Sequence, residues 1–124
     1  MTEEGARRTV EAVVVGAGIA GLACATTLRD QGRSHVVFER SRGVGGRCAT
    51  RRVSGQPVDH GTAFLHGSDD GFLEAIGGVP GAAVLEEWPR EIEGEGPPCL
   101  PKAFEPFERR LAYAEGLTVF PKHL

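Results

Sequence analysis

The sequence predicts an α/β chain: a strand–helix–strand unit at the front, followed by a mixed α+β segment. Three observations carry this prediction. A β-branched run, Val10–Val15, stops at a glycine. A helical spacing of apolar residues follows, and a second apolar run, His35–Glu39, comes directly after it. Strand, glycine turn, helix and strand within about thirty residues make a βαβ unit, whose right-handed crossover sets the two strands parallel.

Residues 1–9 read as a flexible arm. "VEAVVV" has the apolar character of a strand buried on both faces. From Gly18 to about Gln31, Ile19, Leu22, Ala25 and Leu28 share one helical face, and Gly32 is placed to cap the C-terminus. Beyond Glu39 the rhythm changes. Thr50–Val53 and Gln56–Asp59 flank the dipeptide Ser54-Gly55 and predict a hairpin. Asp69–Ile76 predicts a short helix capped by Ser68. Ala82–Trp88, Glu91–Glu93 and Leu117–Phe120 are expected as strand pieces, with "EGEGPPC" as a turn or surface loop. Trp88 is expected in a core.

"VVVGAGIAGLACATTL" holds G-x-G-x-x-G at Gly16, Gly18 and Gly21. The first glycine permits a sharp turn off the strand, the second lets backbone approach a pyrophosphate, and the third lets the helix lie against the sheet. The helix then points its free N–H groups and positive dipole end at the phosphates. On its own the pattern is weak in a chain with 18 glycines. Its place between strand and helix, with Glu39 ending the second strand, makes it specific. A carboxylate there can accept both hydroxyls of an adenosine ribose, and its charge disfavours a 2′-phosphate. Arg40 follows it as a possible counter-charge.

NAD and FAD both fit these features. A second glycine-arginine loop, "SRGVGGRCATRR", favours FAD: Gly45 and Gly46 permit close backbone approach, and Arg47 offers a planar fork to phosphate oxygens. Arg51 and Arg52 sit on a predicted strand, so at most one of them faces a cofactor.

Composition narrows the field. With 124 residues and a net charge of −3 the chain is at most one ordinary domain and not a general nucleic-acid binder. No apolar run approaches the ~20 residues of a membrane span, and the polar start does not read as a secretory signal. Cys24, Cys48 and Cys99 lack disulfide or zinc spacing, so free thiols in a reducing, cytoplasmic setting are expected. Neither His60 nor His66 has the partners of a metal site, and none is expected. His66 is a candidate acid or base, although a structural role is the commoner one for such a histidine. Cys48 is expected as a small buried filler, and Asp59 as a residue that fixes its loop.

Taken together, "VVVGAGIAGLACATTL", "VVFERSRGVGGRCATRR" and "VDHGTAFLHG" resemble FAD-dependent amine oxidases, and among them the renalase-like flavoproteins, over residues 10–67. The resemblance implies that backbone from Gly16 through Gly18, Ile19, Ala20 and Gly21 cradles the FAD pyrophosphate and that Glu39 holds the ribose. It implies a second phosphate loop at Gly45, Gly46 and Arg47, and backbone approach to the flavin end at Ala63 and Phe64. The chain departs from the family in having Gly43 where many amine oxidases carry arginine; Arg42 is the candidate substitute. The resemblance further implies an incomplete two-domain flavoprotein: residues 10–78 as the N-terminal FAD-binding part and 79–124 as the start of a substrate domain. The implied activity is hydride transfer from a small-molecule substrate (an amine, a reduced nicotinamide or a polyene) to flavin, with reoxidation by oxygen. A non-catalytic dinucleotide-binding domain and an NAD-binding domain are the alternatives. No catalytic residue is assigned, and the oligomeric state is open.

Overall fold

The computed structural model describes residues 8–89 and 109–124. Its elements are β1 (Ala12–Val15), α1 (Ile19–Asp30), β2 (His35–Phe38), a 3-10 turn (Gly46–Cys48), β3 (Thr50–Val53), β4 (Gln56–Asp59), β5 (Leu65–Gly67), α2 (Asp70–Gly77), β6 (Val84–Glu86), β7 (Arg109–Tyr113) and α3 (Val119–His123).

The βαβ unit forms as the sequence predicts. β1 and β2 pair in parallel, in register from Ala12 opposite His35 to Val15 opposite Phe38. Helix α1 packs against both strands. At its end Gly32 is left-handed, with φ of 69°. The Gly32 amide donates to the Arg29 carbonyl at 2.9 Å and the Arg33 amide to the Leu28 carbonyl at 2.8 Å. This is the paired closure a glycine after a helix provides.

The expectation that β1 is buried on both faces is corrected. Val13 is 57% and Val15 85% exposed, and Phe38 on β2 is 60% exposed. Helix α1 covers one face of the pair, and among the described residues no layer covers the other. An apolar run signals capacity for burial and does not itself supply the covering layer.

The β3–β4 hairpin spans the predicted residues, in register from Thr50 opposite Asp59 to Val53 opposite Gln56. Ser54 and Gly55 both take positive φ, 50° and 81°, as a two-residue hairpin turn of that hand requires. Helix α2 starts one residue later than predicted and its cap is Asp69, not Ser68. The Asp69 Oδ1 accepts the Phe72 amide at 2.8 Å.

The core lies outside the βαβ unit. The antiparallel sheet β5–β7–β6 carries Leu65, Leu111, Ala112 and Tyr113, and these pack with Ile76 and Val79 and with Leu117 and Phe120 near the C-terminal end. The Tyr113 hydroxyl donates to the Ile76 carbonyl at 2.8 Å, and burial raises its pKa to about 12. The sheet draws strands from both sides of residue 78.

Further expectations are corrected here. β7 and β5 were not anticipated, and the Ala82–Trp88 run contracts to β6. Leu117–Phe120 forms no strand: the Leu117 and Thr118 amides bond to side chains of the hairpin, and α3 begins at Val119. Trp88 is 44% exposed and not a core residue. The predictions for residues 1–7, for Glu91–Glu93, for "EGEGPPC" and for Cys99 fall outside the described residues.

Candidate dinucleotide site

The site begins where β1 meets α1. Gly16 has φ of 96°, a conformation that favours glycine, and its amide donates to the Phe38 carbonyl at 2.7 Å. A Cβ on Gly21 would overlap the Gly16 carbonyl oxygen, so the third glycine of the motif is required by packing. Around Gly18 there is open space, which leaves its backbone approachable. Gly18 takes the N-cap position of α1 and no side chain caps the helix. The first-turn N–H groups and the positive end of the dipole therefore face outward from a bare helix terminus.

The second glycine loop comes back to the first. The Gly45 amide donates to the Ala17 carbonyl at 2.8 Å, within a bridge between Gly18 and Gly45. Gly45 and Gly46 have φ of 118° and 55°, and a Cβ on Gly46 would stand 3.3 Å from the Gly18 Cα. A third strand of chain closes the floor. The Thr62 amide donates to the Arg47 carbonyl at 2.8 Å, and a Cβ on Gly61 would overlap that same carbonyl.

These loops enclose a cavity of about 640 Å³ lined by Gly18, Ile19, Ala20, Gly45, Gly46, Arg47, Cys48, Thr62 and Leu65. Two sequence clusters about thirty residues apart thus share one wall. Cys48 is buried in that wall, as expected of a filler, and burial raises its thiol pKa. Such a thiol is mostly protonated near neutrality and a poor nucleophile.

Glu39 does not line this cavity and is bonded to both of the loops that do. Its Oε2 accepts the Ala17 amide at 2.6 Å, and its Oε1 accepts the Ser41 amide and hydroxyl, each at 2.7 Å. The Ser41 amide, then the Ala17 amide, hold its pKa down to about 2. The carboxylate therefore remains charged at any ordinary pH and links both loops.

Not every predicted residue reaches the cavity. Arg40 is exposed and lines no part of it, and Arg42 faces a separate pocket. Ala63 lines a neighbouring pocket of about 380 Å³ that also includes Asp59, Trp88 and Tyr113. Phe64 lies tilted against His66, ring centres 6.2 Å apart. Thr62 and Leu65, which flank Ala63 and Phe64, are the residues of this segment on the cavity wall. Arg51 and Arg52 are both exposed, and Arg52 reaches the Glu115 carbonyl at 3.4 Å.

Sequence reasoning missed the polar cluster that fixes the second loop from behind. The Thr50 amide donates to the Thr118 hydroxyl at 2.9 Å and the Thr118 amide to the Thr50 hydroxyl at 3.0 Å. The Thr118 hydroxyl donates in turn to the Cys48 carbonyl at 3.1 Å. Asp59 accepts the Thr50 hydroxyl and the Leu117 amide on one oxygen, so it ties the hairpin to the C-terminal segment and not, as expected, its own loop. The signal available in sequence was a carboxylate ending a strand opposite a threonine; the partners from 117–118 are too distant in the chain to be read.

The residues present fit a dinucleotide: a bare helix N-terminus, glycines whose side chains would fill the cradle, and an arginine beside it. Among the described residues no group of three or more His, Cys, Asp or Glu is placed to hold a metal, and no helix is long and apolar enough to cross a membrane.

Residues 14–75 match the family model described as an NAD(P)-binding Rossmann-like domain. Among curated proteins, AofH of Mycobacterium tuberculosis, which carries the name of a flavin-containing monoamine oxidase, is 51% identical over 65 residues, or 52% of this chain and 14% of its own length. Polyamine oxidase 3 of Oryza sativa subsp. japonica is 42% identical over 59 residues, 48% of this chain and 12% of that protein. Among solved structures, putrescine oxidase bound to putrescine superposes with a TM-score of 0.54 at 31% identity, over 62% of this chain and 17% of that one. The chain thus spans less than a fifth of the length of the proteins it matches. On these grounds the chain belongs to the NAD(P)-binding Rossmann-like domain family, and its N-terminal half is similar to a part of flavin-containing amine oxidases.

Proposed function

We propose that this chain is the FAD-binding part of a flavin-dependent oxidoreductase. The observation that carries the proposal is the meeting of two glycine loops, Gly16–Gly21 and Gly45–Arg47, on one cavity. A plain NAD site is served by the first loop alone; the second lengthens the cradle for the longer cofactor. Gly18, Ile19, Ala20 and Gly21 are assigned to the pyrophosphate, through the N-terminus of α1. Arg47 is assigned to phosphate oxygens as a cationic fork. Glu39 is assigned to the adenosine ribose, to which its ionised carboxylate presents the acceptor capacity left on Oε2, since Oε1 already accepts two bonds from Ser41. Ala63 and Phe64 are assigned to the flavin end, and their neighbour Thr62 is added because it lines the cavity that they do not reach.

FAD, when bound, supplies a two-electron acceptor that takes a hydride from a substrate C–H bond and is reoxidised by oxygen. What these residues contribute is binding and orientation. The substrate proposed is a small molecule, with an amine first, since relatives carry the names of monoamine, polyamine and putrescine oxidases. The match to a phytoene desaturase of Myxococcus xanthus, 51% identical over 53 residues, keeps a polyene as the second candidate. Equilibrium titration of FAD into the chain, followed by flavin fluorescence, tests the assignment. Glu39→Ala and Arg47→Ala are each expected to weaken binding by roughly ten- to a hundred-fold. Unchanged affinity in either variant removes that residue from the site.

A further inference from the structure

A third pocket, of about 580 Å³, lies on the other flank of the Ser41–Ala49 loop. It shares no lining residue with the dinucleotide cavity. Its walls bring together Arg42 from the loop, Arg51 from β3, His60 after β4 and Lys122 from α3. No carboxylate lines it. Among the described residues, Arg42, Arg51 and Lys122 have no ion-pair partner. The elements that carry Arg51 and Lys122 are tied to each other by the reciprocal Thr50–Thr118 hydrogen bonds, at 2.9 and 3.0 Å.

Three cations from three elements line this one pocket, and in a chain of net charge −3 the clustering is local. We propose that this pocket is a second anion site, which takes the phosphate group of a small phosphorylated molecule. Two guanidinium forks and an ammonium offer more donors than one carboxylate can use, and they suit the several acceptor oxygens of a phosphate. The volume is that of a small-ligand pocket and exceeds what a bare phosphate fills. The site is independent of the FAD reading, because it uses none of the same residues.

The test is an NMR titration of the nitrogen-15-labelled chain with glycerophosphate and with inorganic phosphate, at ionic strength matched by sodium chloride. The proposal expects saturable shifts at the amides of Gly43, Val44, Ala49, Thr50 and Lys122, with glycerophosphate the tighter ligand. Arg51→Gln and Lys122→Gln are each expected to weaken binding roughly ten-fold while amide shifts in α1 stay in place, which shows the fold intact. Shifts confined to Gly18–Gly21 and Gly46–Arg47, or equal shifts with sodium chloride, overturn the site. Equal affinity for the two phosphates overturns the small-molecule ligand in favour of free phosphate. A glutamate-rich peptide that saturates the same amides when neither phosphate does assigns the pocket to a protein segment and also overturns the proposal.

Discussion

Glu39 joins the end of β2 to both glycine loops through three hydrogen bonds, to Ala17 and to the amide and hydroxyl of Ser41. Its folded-state pKa, about 2, lies below its ordinary 4.5, so the fold favours the charged form. Its contribution to stability is complete above the ordinary value and is lost as the pH falls toward the folded value. A carbon-13 NMR titration of the Glu39 carboxyl is expected to show no transition near 4.5; a transition there would mean the clasp is absent. Gly21 makes a different demand. Alanine ordinarily favours a helix by up to ~1 kcal/mol over glycine, but a Cβ here would strike the Gly16 carbonyl. Gly21→Ala is therefore expected to destabilise the chain by about 1–3 kcal/mol, measured by urea unfolding. The turn at Gly16 and the close approach at Gly21 were legible because their spacing is local and each has a distinct steric role; the bonds from Glu39 to Ala17 and Ser41 were not foreseen. Ala63 was less legible: whether a residue or its neighbour faces a cavity depends on one peptide's rotation, which spacing does not record.

At the scale of elements, the β3–β4 hairpin, the Asp69-capped α2 and the 117–118 turn form a frame behind the cofactor loop. Asp59 is the joint of that frame, holding Thr50 within the hairpin and Leu117 from the C-terminal segment. Asp59→Ala leaves a hydroxyl and an amide without their acceptor and is expected to cost about 1–3 kcal/mol. Asp59→Asn, which keeps an acceptor oxygen, is expected to cost less. Equal losses in the two variants would show that charge and not hydrogen bonding matters there. The hairpin was legible from Ser54-Gly55 between two short runs, since a two-residue turn fixes register locally. β7 was not, because Arg110 lies in it: its side chain is buried and pairs with Glu87 at 3.4 Å, so a charged residue occupies an inward position. Leu117–Phe120 misled for the converse reason. It is apolar enough for a strand, but its amides find side-chain acceptors on a distant hairpin. Arg51, expected on a strand with at most one of the Arg51–Arg52 pair facing a cofactor, is exposed and lines a pocket with three other basic residues.

The whole molecule has two unlike halves. The packed core belongs to the β5–β7–β6 sheet and the segments around it, whereas the nucleotide-binding βαβ unit shows Val13, Val15 and Phe38 on an uncovered face. The match to much longer relatives is consistent with that face. The halves are joined by the loop from Ser41 to Ala49, which touches the first glycine cluster on one side and the C-terminal frame on the other, and by α1, whose Thr26 hydroxyl donates to the Leu124 carbonyl at 2.7 Å. The central claim is that this union builds an FAD site from a Rossmann-like unit. Parallel equilibrium titrations of the chain with FAD and with NAD⁺ test it most directly. The account predicts that FAD binds at least roughly ten-fold more tightly than NAD⁺, from the added charge-assisted contacts of the second loop. NAD⁺ binding as tightly as FAD, or more tightly, would contradict it.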